Sequence, residues 1–89
     1  MSKSLRVPDQ VVENARAHEI LRVWAVEDEP QYLAIDQKIW SDPAGWGLLL
    51  VDIARQVARA IAQTSDQSEA TVLARIREGF DAEWDSLTT

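Results

Sequence analysis

Apolar positions along the 89-residue chain change rhythm twice, and each rhythm predicts an element. The run Ile20-Leu-Arg-Val-Trp-Ala-Val26 is rich in β-branched and aromatic residues. Acidic Glu27-Asp-Glu29 and Pro30 interrupt it, and Gln31-Tyr-Leu-Ala-Ile35 resumes it, which reads as two strands joined by a turn. Setting Trp24 opposite Tyr32 separates the side chains cleanly. One face then holds Leu21, Val23, Ala25, Leu33 and Ile35, and the other Ile20, Arg22, Trp24, Tyr32 and Ala34. A one-residue slip mixes the two sets, so this register is preferred, with the aliphatic face inward.

After the hairpin the period lengthens. Ser41-Asp42-Pro43 predicts a helix start, because the Asp42 carboxylate can accept from first-turn amides while Pro43 has no amide to leave unsatisfied. A helix over about 43–63 follows, with Trp46, Leu49, Leu50, Ile53, Val57, Ala60 and Ile61 at helical spacing. Asp52, Arg55, Gln56, Arg59 and Gln63 occupy the opposite stripe. Asp66, with Glu69 three residues on, reads as a capping box opening a second helix to about Leu87, whose apolar stripe is Val72 or Leu73, Ile76, Phe80, Trp84 and Leu87. A connection of two or three residues makes the helices an antiparallel pair. Before the hairpin, Asp9 to Ala17 suggests only a short helical turn, and residues 1–8 are expected to be flexible.

The predicted fold is therefore α+β: a single domain over 1–89, with a β-hairpin packed on an antiparallel pair of helices and a short N-terminal segment. Two strands make a thin sheet with open edges, so dimerisation that extends the sheet is part of the expectation.

Composition narrows the function classes. Nine Lys and Arg against fifteen Asp and Glu give a net charge of −6, concentrated in residues 27–42 and 66–89. That balance opposes phosphate backbones, so nucleic acid is not an expected partner. There is no cysteine, which removes disulfides and thiolate metal sites and fits a reducing, cytoplasmic setting. The longest apolar run, Leu48 to Val51, is too short for a bilayer span, so no membrane partner is expected either.

The segments Leu21-Arg-Val-Trp24, Trp40-Ser-Asp-Pro-Ala-Gly-Trp-Gly-Leu-Leu-Leu50 and Ala74-Arg-Ile-Arg-Glu-Gly-Phe-Asp-Ala-Glu-Trp84 resemble a family of small bacterial, mainly proteobacterial, proteins built on a domain of unknown function. The Trp-x-Asp-Pro-x-x-Trp-Gly block is the most specific part. The resemblance implies a bacterial origin and a self-contained domain, and brings no activity, cofactor or catalytic residue with it. It also implies histidine where Gln56 stands, a departure that takes imidazole chemistry off that helix.

Candidate chemistry is sparse. The single histidine, His18, lies at the border of the first strand, where an element-boundary role is the simpler reading. Ser41, Ser65 and Ser68 stand in no nucleophile motif. Asp81, Glu83 and Asp85, and the triplet Glu27 to Glu29, lack the spacing of a cation loop, so no metal and no cofactor are expected. Gly45 and Gly47 near a helix start invite an anion, but Asp42 occupies that position as the cap, and close approach of another segment explains the glycines better.

What remains is contact surface. Arg22, Trp24 and Tyr32 share the outer hairpin face, with the composition of an interface anchor or of a local cation–π cluster. Arg55 and Arg59 form a polar line with Asp52, in which Asp52 pairs with Arg55 and Arg59 looks outward, toward an acidic partner or a neighbouring subunit. The expected function is a non-catalytic bacterial interaction or accessory protein, not an enzyme, that binds a protein partner or itself as a homodimer. The alternative is a small-molecule binding or regulatory module with an apolar pocket between hairpin and helices.

Overall fold

The computed structural model describes residues 5–87. Two compact units divide the chain, one running to Ser41 and one starting at Asp42. In the first, α1 is a single helical turn, Asp9–Val12, followed by turns through Ala17 in which the Ala17 amide donates to the Asn14 carbonyl at 3.0 Å. Pro8 precedes α1 and suits its first turn, since its missing amide is one the turn would not use. Arg6 reaches Asp9 at 2.9 Å across that turn.

Strands β1 (Leu21–Trp24) and β2 (Tyr32–Ile35) form a two-stranded antiparallel sheet. The pairs are Leu21 with Ile35, Arg22 with Ala34, Val23 with Leu33 and Trp24 with Tyr32, the register that the separation of side chains predicts. At the turn the Glu29 amide donates to the Val26 carbonyl at 3.0 Å, and Asp28 takes φ 63°, a left-handed conformation its short polar side chain tolerates.

Within the first unit the hairpin does not seal its own aliphatic face. Val23, Leu33 and Ile35 are exposed, Leu21 is half-buried, and Trp24 and Tyr32 on the other face are exposed as well. Two four-residue strands carry too little area to bury either face by themselves, and burial needs a second layer.

In the second unit α2 runs Ala44–Gln63 and α3 runs Glu69–Ser86, and the two pack on each other. The predicted start of α2 is present. Pro43 has helical dihedrals, and the Asp42 carboxylate accepts from the Ala44 amide at 3.0 Å.

The start of α3 differs from the expected Asp66 box. Ser68, in extended geometry, is the cap: its Oγ accepts from the Thr71 amide at 3.1 Å and donates to Thr71 Oγ1 at 2.9 Å. Asp66 lies two residues too early, in a turn where the Ser65 hydroxyl accepts from the Gln67 amide. The connection is therefore residues 64–68, longer than expected, and Glu69 bonds Arg59 across it at 3.1 Å.

The buried face of α2 overlaps the expected stripe in part, Trp46, Leu49 and Ile53 being half-buried. Ala58 is fully buried, with Ala54 and Ala62 half-buried four residues to either side, while Leu50, Val57 and Ile61 stay exposed. Opposite, Val72 is buried and Leu73 and Ile76 are half-buried. Alanine lets α3 approach closely, so the narrow stripe of small side chains takes the contact ahead of the larger aliphatic one. Phe80 and Trp84, expected in the core, are 49% and 59% exposed and stack on each other with centroids 5.7 Å apart.

The caps give a direct check. Asp42→Ala and Ser68→Ala are each expected to lower stability by about 1 kcal/mol, whereas Asp66→Ala should stay within about 0.5 kcal/mol of the parent. Urea denaturation followed by circular dichroism measures all three, and an Asp66 effect as large as that of Ser68 would contradict the assigned cap.

Candidate functional site

The most organised polar cluster sits at the open end of the hairpin. Asp36 directly follows β2, and its backbone amide donates to the Ile20 carbonyl at 2.9 Å, extending the ladder one step beyond the strands. Its carboxylate has two partners. Oδ1 accepts from the Lys38 amide at 3.1 Å, closing a tight Asx turn, and Oδ2 meets His18 Nε2 at 2.5 Å. The dyad thus ties the segment leading into β1, three residues before its start, to the residue after β2. These bonds favour the charged carboxylate. The His18 hydrogen bond first, then the Lys38 amide, hold Asp36 below its ordinary value of 3.8 against a smaller opposing effect of desolvation.

An open groove of about 490 Å³ borders this dyad, with Glu19, Arg22, Asp36, Gln37 and Lys38 on its rim and strand residues at its floor. Of the pair, Asp36 lines it, and the lining has no serine, threonine or cysteine to serve as an oxygen or sulfur nucleophile. The arrangement can hold a proton and fix the imidazole through Nε2. Sequence reasoning placed His18 at an element boundary and did not supply Asp36 as its partner. The two lie eighteen residues apart, and only the strand register brings them together.

The predicted contact residues are distributed over both units. Arg22 donates through Nε to Glu19 at 2.6 Å, so its guanidinium is engaged along the strand with a carboxylate. Tyr32, directly across from Trp24, donates its hydroxyl to Glu29 at 2.7 Å, and that bond raises its pKa above the ordinary 10.0. A second groove runs beside Trp24, with Leu5, Val7 and Val23 among its lining, so the N-terminal segment passes close to β1.

On α2 two pairings differ from expectation. Asp52 accepts from Gln56 at 3.1 Å in place of Arg55, the i,i+4 step being the one that stacks side chains along a helix. Arg59 turns to Glu69 of α3 and does not point outward alone. Gly47 does not mark a close approach within the chain, for a Cβ built on it meets nothing within 4 Å. Asp81 pairs with Arg77 at 3.2 Å, and among the described residues no group of three or more His, Cys, Asp or Glu is placed to hold a metal ion.

Among the described residues no helix is long and apolar enough to cross a membrane. The hairpin followed by a two-helix unit defines a small α+β protein. Over residues 4–88 the chain matches, and belongs to, the family described as Domain of unknown function (DUF5076). A solved structure from the photosynthetic bacterium Rhodopseudomonas palustrus CGA009, described as that of a "putative pyruvate dehydrogenase", is similar at 39% identity with a TM-score of 0.73. The similarity covers 94% of this chain and 84% of that one. No curated protein matches the chain.

Asp36 yields a pH prediction. Because its folded pKa is lowered, its contribution to stability is complete above the unfolded value near 3.8 and is lost as pH falls through the lowered folded value. Carboxyl chemical shifts followed by NMR should show Asp36 titrating below its ordinary value of 3.8, and His18→Ala should move it upward. An Asp36 midpoint unaltered by His18→Ala would show that the dyad is not formed in solution.

Proposed function

We propose that this protein is a non-catalytic bacterial interaction or accessory protein that works as a homodimer, with Trp24 at or beside the contact. The observation that carries the reading is the hairpin itself. Trp24 and Tyr32 sit directly opposite each other, both exposed, on a two-stranded sheet that no third strand among the described residues extends. Aromatic side chains held in fixed register on a sheet make good anchors, since little rotamer freedom remains to be lost on binding. An exposed two-stranded edge also offers unpaired amides and carbonyls to a second strand, and a symmetric partner shelters both.

The Rhodopseudomonas structure is described as that of a "putative pyruvate dehydrogenase". In this chain the single histidine is tied to Asp36, which lines a groove whose lining has no serine, threonine or cysteine. Arg55 remains available on α2 for an acidic partner, while Arg59 is engaged by Glu69.

Light scattering at micromolar concentration tests the reading. The expected result is a mass of about 20 kDa, twice that of one chain, with Trp24→Ala shifting the equilibrium toward monomer by tenfold or more. A 10.0 kDa species at high concentration would end the proposal, and a dimer indifferent to Trp24→Ala would move the contact off the hairpin.

A further inference from the structure

The pairing of β1 with β2 fixes which main-chain groups of β1 look outward. The Asp36 amide donates to the Ile20 carbonyl at 2.9 Å, so residues 20 and 36 are a hydrogen-bonded pair, and in an antiparallel ladder such pairs alternate with unbonded ones. Arg22 with Ala34 and Trp24 with Tyr32 are then the bonded pairs. Leu21 and Val23 turn their amides and carbonyls away from β2, toward the outer edge of the sheet.

That edge is bordered by a groove of about 340 Å³. Its lining takes β1 residues from both faces of the sheet, Leu21 and Val23 from one and Arg22 and Trp24 from the other, and none from β2. A groove so lined runs along the edge of the strand and not over a face. Its other wall is Leu5 and Val7. The segment Leu5-Arg-Val7 alternates apolar and charged residues as a strand does, and Pro8, with no amide to donate, ends it where α1 begins. Within their own unit neither Leu5 nor Val7 is covered, at 93% and 52% exposed, and among the described residues no main-chain group of 5–7 bonds to β1.

We propose that Leu5-Arg-Val7 is a strap that closes this groove as a third, antiparallel strand on β1, with Val7 opposite Leu21 and Leu5 opposite Val23. This register gives the outward amides and carbonyls of Leu21 and Val23 their partners, and it puts all four apolar side chains on the aliphatic face. Arg6 then stands opposite Arg22, a pair of like charges that would oppose closure if bare. Each is already matched, Arg6 with Asp9 at 2.9 Å and Arg22 with Glu19 at 2.6 Å. Shifting the strap by one residue sends Leu5 and Val7 to the outer face and sets Arg6 among the aliphatics. The occupant is the chain's own segment because it already forms the wall of the groove, and its covalent connection through α1 holds it there at high effective concentration. Once closed, the strap withdraws β1 from sheet growth and leaves the edge of β2 to any second copy. The inference goes beyond the self-association reading and does not depend on it.

Amide exchange followed by NMR on the full chain tests the strap. Leu21 and Val23 amides are expected to exchange at least tenfold more slowly than in an unstructured chain at every protein concentration. Val7→Pro, which removes one donor of the strap, should cancel that slowing while Arg22 and Trp24 keep theirs, and Val7→Thr, which keeps the amide, should preserve it. Arg6 and Arg22, the unbonded pair between the two bonded ones, would bring their Cα atoms to about 4.5 Å, so an Hα–Hα Overhauser contact between them is expected in the unaltered protein. Absence of that contact, or unslowed exchange at Leu21 and Val23, overturns the strap whatever Val7→Pro does to stability. Slowing that ignores Val7→Pro overturns it as well, and where it also fades on dilution it assigns the edge to a second copy's strand.

Discussion

The fully sealed part of the second unit is a junction of small residues, and this constraint shapes the surface around it. Ala58 and Val72 are buried, flanked by half-buried Ala54, Ala62, Leu73 and Ile76. A buried alanine contributes only one methyl group to the hydrophobic term, so each square ångström gained there is modest. What alanine supplies is proximity: with short side chains on α2, α3 can lie close and the Arg59–Glu69 bond can span the connection. The consequence falls on the larger side chains. Once the alanine stripe faces α3, geometry turns Leu50, Val57 and Ile61 away from it, because a helix cannot present two stripes to one neighbour.

The backbone was more legible in the sequence than the packing. Hairpin register followed from the requirement that each face be of one kind, and Trp24 does oppose Tyr32. The α2 start followed from Asp42 and Pro43, whose chemistry is local. The α3 start was missed because two candidate caps, Asp66 and Ser68, stand two residues apart, and the choice depends on which one adopts extended dihedrals. Periodicity located an apolar stripe on α2 but weighted it by side-chain size, and so favoured Leu50 and Val57 over Ala54 and Ala58. Hydrophobicity ranks residues, whereas close packing selects among them by shape.

The polar cluster shows the same limit from the other side. His18 and Asp36 are unremarkable where they stand in the sequence, and nothing in the spacing joins them. The ladder joins them: pairing Leu21 with Ile35 brings the flanking residues Ile20 and Asp36 together, and the Asp36 carboxylate then reaches His18. The pair closes the end of a short sheet in the way a cap closes a helix, satisfying groups that would otherwise fray. Its exposure keeps the energetic value of any ionic part small, so its role is better described as fixing the strand ends than as holding the fold.

Charge and exposed apolar groups act in opposite directions on this surface. Acidic charge on α3 and at the hairpin turn discourages nonspecific association, since like charges face each other in most random encounters. The exposed apolar side chains are grouped, however, by regular structure: Trp24 with Tyr32 across the sheet, Phe80 on Trp84 along α3, and the three aliphatics in a line on α2. Groups held in register by backbone hydrogen bonds lose little entropy when covered, while scattered groups would lose more. Repulsion of this kind lowers the frequency of chance encounters, whereas regular geometry lowers the entropy cost of covering the apolar groups.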